Sequence, residues 1–157
     1  MQERSAARRL ALDVLYEAEI RDLLPLEAFE LRNSYGWVVA TSADEEKAPD
    51  PTADAAVPSD EAVAYARYLV SGIQEHHAEI DELIDRYADR WTIERMPMVD
   101  RNVVRMAAFE LLWSEDVPVA VAINEAVELA KAFSTDDSGR FVNGILGRIA
   151  ETITSSD

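Results

Sequence analysis

The chain has 157 residues, no cysteine and a formal net charge of −16 at pH 7. This length allows one domain, or two small subdomains, with a buried core, and the lack of cysteine excludes disulfides, thiolate metal sites and a cysteine nucleophile. The N-terminal residues form an amphipathic pattern rather than the apolar core of an export signal, and no apolar run approaches the roughly 20 residues of a membrane span. We therefore expect a soluble cytoplasmic protein.

The chain begins with a predicted amphipathic helix. Its apolar stripe recurs at helical spacing and comprises Leu12, Leu15, Tyr16 and Ile20. The start of this helix is basic and contains Arg4, Arg8 and Arg9. A shorter helix is predicted after Pro25, because proline suits the first helical position.

Residues 33–58 differ from the rest of the chain, since they are rich in small and acidic residues and contain three prolines. Low hydrophobicity combined with net charge predicts a disordered acidic insertion. This insertion separates an N-terminal part, residues 1–32, from a main helical bundle, residues 59–151. Residues 152–157 are expected to form a flexible tail.

The main bundle has helical periodicity throughout. Ser59 is predicted to cap its first helix, and Thr92 is predicted to cap a short turn that Pro97 ends. The segment from Val99 to Trp113 is apolar on nearly every side, which is typical of a buried central helix. No strand pattern competes apart from Trp37-Val38-Val39, so we predict an all-α fold of about seven helices in two small bundles, with a long acidic loop.

The last predicted helix has a clear apolar face. Its N-terminal cap is expected among Asp136, Asp137 and Ser138. Stepping about 100° per residue gathers on one side Val142, Ile145, Leu146 and Ile149. This pattern predicts a helix that packs on the bundle along that side.

Phe141 lies about a quarter turn off that apolar face, on the side that also carries Arg140, Gly144 and Arg148. A ring between two arginines, beside a glycine that leaves space, suits base stacking combined with phosphate contact. The alternative is that Phe141 packs beneath a neighbouring helix, and helical geometry alone favours this alternative.

Few residues of this chain suit metal binding or catalysis. His76 and His77 are the only histidines, and adjacent helical positions do not face the same way. His77 and Asp81 would supply two ligands without an evident third, so we expect neither a metal site nor a cofactor. No glycine-rich phosphate loop, nucleophile elbow or zinc-protease motif occurs in the sequence, and we expect a protein that is not an enzyme.

Arg105 lies on the predicted central helix and requires a partner there. An unpaired buried charge is strongly destabilising, so a carboxylate is expected, with Glu125 as the first candidate and Glu110 as the second. We interpret this pair as structural rather than as a ligand site. Asn143, on the opposite side of the last helix from Phe141, is predicted to bond a neighbouring backbone group.

The overall acidity argues against a nucleic-acid partner, but the charge is unevenly distributed. Residues 33–61 hold seven acids and one base, whereas the first nine residues hold three arginines and one acid. Residues 138–149 hold two arginines and no acid. These two positive islands favour RNA binding, and the alternative is that both are ordinary solvated faces.

Several segments together resemble the NusB family of bacterial transcription antitermination factors. They are Arg8-Arg9 followed by Val14-Leu15-Tyr16-Glu17, the run from Val99 to Ala107, Asp116-Val117-Pro118, INEAVELAK at residues 123–131, and SGRFVNGIL at residues 138–146. The resemblance covers most of the chain outside the acidic insertion. It implies an all-helical fold of two small bundles and a non-enzymatic role.

The resemblance also implies partners and RNA contacts. Members of the family pair with NusE, a ribosomal protein of the small subunit, and the pair binds single-stranded boxA RNA in nascent transcripts, notably of rRNA operons, so that RNA polymerase reads through terminators. The implied RNA contacts are Arg4, Arg8, Arg9 and Phe141, with Arg140 and Arg148 as phosphate neighbours. With the resemblance included, we interpret Phe141 as an RNA contact rather than a core residue.

The resemblance places further positions at interfaces. Asp137 occupies the family's acidic position before the last helix, where loss of the charge is expected to strengthen RNA binding. The NusE-facing surface maps onto Tyr16, Ile20, Glu94 and Asp100. Some relatives form homodimers that cover the arginine helix, which adds a homodimer to the expected assemblies.

Two departures from the family favour a second hypothesis. Residues 5–7 interrupt an arginine arm that is denser in many relatives, and the acidic insertion is longer than usual. Fewer phosphate contacts weaken RNA binding and make its salt dependence shallower. The alternative to an RNA-binding subunit is therefore an acidic adaptor whose RNA contacts come mainly from a partner. A hydrolase built on scattered carboxylates ranks third.

Overall fold

The computed structural model describes residues 2–37, 57–88 and 92–154. Within these residues the chain forms no strand, one turn of 3₁₀ helix at Ile93–Arg95, and seven α-helices. The helices are α1 (Gln2–Arg21), α2 (Pro25–Tyr35), α3 (Asp60–Glu75), α4 (His77–Tyr87), α5 (Met98–Trp113), α6 (Val119–Phe133) and α7 (Asp136–Thr154). The predicted all-α fold is confirmed. None of the described helices combines the length and the apolar composition that crossing a membrane requires.

The chain divides into two compact units, Met1–Ser71 and Gly72–Asp157. The division lies inside α3, whereas the sequence predicted it in the acidic insertion. Most of that insertion, residues 38–56, lies outside the described residues. Two helices extend beyond the predicted boundaries, since α2 continues to Tyr35 and α7 continues to Thr154.

Two helix starts follow the predicted chemistry. Pro25 occupies the first helical position of α2, where its missing N–H costs nothing. At α3 the hydroxyl of Ser59 accepts a hydrogen bond from the Ala62 amide at 3.1 Å. Both predictions are confirmed. Each could be made from the sequence because it depends on residues close together in the chain.

Two other predicted caps are wrong. Thr92 makes no side-chain bond to the 3₁₀ turn, and the Asp85 carboxylate accepts the Ile93 amide at 2.7 Å instead. At the start of α7 the cap is Thr135, whose Oγ1 accepts a bond from the Ser138 amide at 3.1 Å. A cap accepts the amide up to three positions after it, so the residue that caps Ser138 is Thr135, immediately before the three predicted residues.

The helix α5 is the centre of the second unit, as its apolar sequence predicts. It packs against α4, α6 and α7. Its buried side chains include Val103, Val104, Met106, Ala107, Ala108 and Phe109. A helix that is apolar on all sides requires neighbours on all sides, and these three helices supply them.

Arg105 of α5 has a bidentate carboxylate partner that the sequence did not reveal. Its Nε and Nη2 donate to the two carboxylate oxygens of Asp81 on α4, at 2.9 and 3.0 Å. Its Nη1 donates to Asn102 at 3.1 Å. The planar guanidinium matches the two oxygens of one carboxylate. The expected structural ion pair is present, but Asp81 fills the bidentate role rather than Glu125 or Glu110.

Gly72 permits a close approach between α3 and α5 in the second unit. A Cβ atom at Gly72 would overlap the ring of Phe109, and both residues are buried. The Phe109 ring in turn stacks on Trp113 at 5.7 Å between centroids, and Trp113 stacks on His76 at 4.0 Å. Glycine is needed at position 72 because there is no room for a side chain.

Gly72→Ala is expected to lower the free energy of unfolding by about 1–3 kcal/mol, the usual cost of forcing a methyl group into a packed core. Gly147→Ala is the matched control, since a Cβ at that helical position would meet nothing within 4 Å. The control should gain up to about 1 kcal/mol from helix propensity. Chemical denaturation of both variants measures the difference, and equal stabilities would contradict the packing argument.

Candidate nucleic-acid interface

The first turns of α7 carry the aromatic and basic residues that the sequence singled out. The predicted buried face is confirmed, because Val142, Ile145, Leu146 and Ile149 are fully buried. Phe141 is half-buried, as its position beside that face requires. Arg140 is exposed and has no ion-pair partner among the described residues. This side of α7 therefore presents part of an aromatic ring next to an available cation.

Arg148 lies farther along the same helix but is already engaged. Its Nε and Nη2 both donate to the backbone carbonyl oxygen of Tyr87, at 3.1 and 2.9 Å. Tyr87 is the last residue of α4, so this arginine binds a carbonyl at a helix C-terminus, where a positive charge is favourable. Arg148 thus joins α4 to α7 in addition to its predicted role near phosphate.

The side of α7 next to Phe141 is open at Gly144. A Cβ at this position would meet only the Nη1 atom of Arg148, at 3.6 Å, which is ordinary van der Waals contact. Asn143 is exposed, and within the described residues its side chain makes no hydrogen bond. The predicted bond from Asn143 to a neighbouring backbone group is therefore wrong.

The basic start of α1 contains three arginines in different environments. The Arg4 guanidinium lies 4.7 Å from the ring centroid of Tyr65 on α3, and Arg8 lies 5.8 Å from the same ring. Arg8 is only 2% exposed, whereas Arg9 is exposed. Along the start of α1, exposure therefore differs: Arg9 is exposed, Arg4 is partly exposed and Arg8 is buried.

An acidic pair lies close to these arginines within the first unit. A hydrogen bond to Glu3 and the charge of Glu3 together raise the pKa of Glu61. The Glu61 carboxyl on α3 therefore takes up a proton more readily than an isolated glutamate does.

The residues predicted to face a protein partner on α1 are accessible. Tyr16 is 40% exposed and Ile20 is 57% exposed. Leu24, one further step of four residues along, is exposed as well, although α1 ends at Arg21. Leu24 is not among the predicted contacts, although its spacing of four residues from Ile20 could have indicated it. We call Tyr16, Ile20 and Leu24 the α1 apolar patch.

Glu94 and Asp100, the other two predicted partner contacts, differ in accessibility. Glu94 is exposed on the 3₁₀ turn. Asp100 is 1% exposed, and its Oδ2 accepts a hydrogen bond from Ser138 Oγ at 2.8 Å. A partner protein cannot reach Asp100 in this conformation, because the carboxylate lies inside the second unit.

A cluster of charges beside the α1 apolar patch holds α1 against α2. Arg32 of α2 contacts Asp13 at 2.8 Å and Glu17 at 2.6 Å, and Glu17 also contacts Arg21 at 3.2 Å. Burial raises the pKa of Asp13, and Arg32 only partly offsets that rise. Burial also acts to raise the pKa of Glu17, but Arg32 and Arg21 outweigh it, so that pKa lies below its ordinary value.

The histidines do not build a metal site with their neighbours. His77 Nε2 lies 3.3 Å from the Asp81 carboxylate, which Arg105 also uses. Among the residues that the structure describes, no group of three histidine, aspartate or glutamate side chains is placed to hold a metal ion.

The sequence matches the model of the NusB family over residues 5–151. The chain belongs to the NusB family. It is 48% identical over 154 residues to the transcription antitermination protein NusB of Salinispora arenicola, an alignment that covers 98% of this chain and 99% of that protein.

Solved NusB structures share the fold of this chain. T. maritima NusB is 35% identical with a TM-score of 0.74, covering 94% of this chain and 90% of that one. A structure of the antitermination factors NusB and NusE in complex with dsRNA is 27% identical with a TM-score of 0.75, covering 97% of this chain and 98% of that one.

The family match includes every predicted site residue except Arg4, which precedes residue 5. In this NusB-family chain the structure gathers Arg140 and Phe141 on one side of α7, and it gathers Tyr16 and Ile20 on α1. Asp137, at the acidic position before them, is exposed.

Glu17→Gln is expected to lower the free energy of unfolding at pH 7 by about 1 kcal/mol, the scale of a partly screened charged hydrogen bond. Because the pKa of Glu17 is lowered on folding, its contribution is present above its unfolded-state pKa. That contribution disappears as the pH falls through the folded-state pKa. Denaturation of both proteins between pH 7 and pH 3 should therefore give curves that converge at low pH. A difference that stays constant with pH would contradict this assignment.

Proposed function

We propose that this chain is an RNA-binding transcription antitermination factor that pairs with NusE. In this role the pair binds boxA-type RNA in nascent transcripts, including those of rRNA operons, and promotes read-through by RNA polymerase. The observation that carries the proposal is the exposed Arg140 beside the half-buried Phe141 on α7, in a chain that belongs to the NusB family over nearly its whole length.

The chemistry of this side of α7 suits a single strand of RNA. An aromatic ring with one accessible face can stack on an unpaired base, and the neighbouring guanidinium can bind the adjacent phosphate. Gly144 adds no side chain of its own next to the ring, so the side-chain atom nearest to this position is Nη1 of Arg148. Arg9, which is exposed, and Arg4, which is partly exposed, are proposed as separate phosphate contacts on α1 in the first unit.

The α1 apolar patch is proposed as the surface for NusE. Exposed Tyr16 and Ile20 are four residues apart and lie on the same side of α1, and exposed Leu24 follows after the helix has ended. The Arg32 cluster fixes α1 against α2 directly beside this patch. Glu94 on the 3₁₀ turn is proposed as a second, separate contact. Asp100 is too deeply buried to contact a partner.

The proposed role is non-enzymatic, since the RNA is bound and not changed. Its place is the cytoplasm, where nascent transcripts and ribosomal proteins occur together. No cofactor is required, because the proposed contacts consist of side chains alone.

Phe141→Leu tests the stacking role and keeps apolar volume on the buried side of the ring. Loss of one stacked base is expected to weaken binding of single-stranded boxA RNA roughly tenfold, with little change in melting temperature. Fluorescence titration with labelled RNA measures the affinity, with a duplex of the same sequence as a second probe.

Arg140→Gln is the companion variant for the charge. It should lower the slope of log K against log salt by about one unit, which Phe141→Leu should not do. Unchanged RNA affinity of Phe141→Leu, in a stably folded protein, would overturn the stacking role.

Tyr16→Ala tests the partner surface separately from the RNA surface. Since Tyr16 is 40% exposed, its truncation should leave the melting temperature nearly unchanged. It should weaken the complex with NusE tenfold or more, as aromatic anchors at protein interfaces do, and leave RNA binding by the isolated chain unaffected. Calorimetric titration with NusE measures the first effect, and equal affinity for NusE would exclude the patch.

A second candidate function, an adaptor whose RNA contacts come mainly from NusE, also has a specific observation in its favour. Two of the predicted RNA cations are less available than expected, because Arg8 is buried and two of the Arg148 nitrogens donate to the Tyr87 carbonyl. RNA titrations across a salt series, with and without NusE, separate the two functions. A salt slope that appears only with NusE favours the adaptor.

A further inference from the structure

Asp100 and Ser138 form a buried polar contact between the first turn of α5 and the first turn of α7. Ser138 Oγ donates to Asp100 Oδ2 at 2.8 Å. Asp100 is 1% exposed and Ser138 is also buried. The two residues are 38 positions apart in the sequence, so the contact fixes how these two helix starts meet.

The proton arrangement at Ser138 has one consistent solution. The Ser138 oxygen also lies 2.9 Å from Ser134 Oγ and 3.0 Å from Thr135 Oγ1. A serine has one hydroxyl proton and two acceptor lone pairs. Because that proton goes to Asp100, the hydroxyls of Ser134 and Thr135 must donate to Ser138. Ser134 and Thr135 thus both donate to Ser138, and Ser138 donates to Asp100.

This network includes both residues of the connection between α6 and α7. The connection consists of Ser134 and Thr135 alone, since α6 ends at Phe133 and α7 begins at Asp136. Thr135 also caps α7 by accepting the Ser138 amide. Phe141 follows Ser138 by three residues, which is about one helical turn. The rotation of α7 about its axis at Ser138 therefore sets where the Phe141 ring points.

The pair is a poor choice for stability alone. Asp100 Oδ1 is buried and has no hydrogen-bond partner among the described residues. A buried carboxylate with an unsatisfied oxygen destabilises a protein, and an apolar pair of similar volume would serve stability at least as well. Apolar packing, however, is non-directional, whereas a hydrogen bond specifies an orientation.

We propose that Asp100 and Ser138 are positioning residues, which hold the start of α7 in the orientation that presents Phe141 and Arg140 to RNA. This inference rests on the proposed role of Phe141 as a base-stacking residue. Without the pair, α7 keeps its apolar packing, but its first turn samples other orientations. Only a fraction of the molecules is then competent to bind, and the apparent affinity for RNA falls by that fraction.

The test compares Ser138→Ala and Asp100→Ala with Asp100→Asn, each made with Phe141 present and with Phe141→Leu. Binding of single-stranded boxA RNA carrying 2-aminopurine is titrated well below the melting temperature of each variant. The two alanine variants should weaken binding about three- to tenfold and reduce the stacking signal when Phe141 is present. They should add no loss to Phe141→Leu. Asp100→Asn keeps an acceptor for Ser138 and should retain most of the affinity.

The outcomes separate this inference from the proposed function. If Phe141→Leu weakens RNA binding and the alanine variants do not, the positioning role is overturned and the stacking role stands. If Phe141→Leu has no effect, the stacking role fails and the positioning role fails with it. Should Ser138→Ala not fold because Asp100 is left without a donor, the double variant Asp100→Ala with Ser138→Ala removes both partners. Hydrogen exchange of the amides from 136 to 141 then reports whether the start of α7 has loosened.

Discussion

The burial of one apolar face of α7 against α5 and α6 is the constraint on which the second unit depends. Four aliphatic side chains of that face are fully buried, and each contributes up to about 1.5–3 kcal/mol of hydrophobic stabilisation. Once that face is fixed, helical geometry sets which side of α7 each other residue occupies, and the contact between Ser138 and Asp100 holds the first turn. The position of Phe141 at the margin of the interface, half inside and half outside, follows from the same packing. The candidate RNA surface thus lies along the edge of the buried face of α7.

The helices, their apolar faces and two of the helix starts could be predicted because they depend on residues near each other in the sequence. Pro25 and Ser59 act within one turn, and the α7 face repeats every three or four residues. The polar partners could not be predicted in this way. Asp81 is 24 positions from Arg105, and Tyr87 is 61 positions from Arg148. Such pairs depend on which helices become neighbours, and periodicity does not report that.

The burial of two predicted site residues, Arg8 and Asp100, could not be predicted either, because it also depends on which helices become neighbours. An arginine near a chain terminus and an aspartate in a first helical turn both have the composition of surface residues. The packing of neighbouring helices nevertheless encloses Arg8 and Asp100. Arg105 and Arg32 likewise neutralise carboxylates within their own units.

The contact between Arg148 and the Tyr87 carbonyl has a consequence for entropy. A free arginine side chain loses about 2 kcal/mol of rotamer entropy when a ligand immobilises it, but two hydrogen bonds already hold Arg148 in place. Three of its five N–H donors are not used by that carbonyl. Among them are those of Nη1, the atom that lies beside the open surface at Gly144. An anion that arrives there meets a donor whose torsions are set in advance, so the ordering of this side chain is a cost of folding rather than of binding.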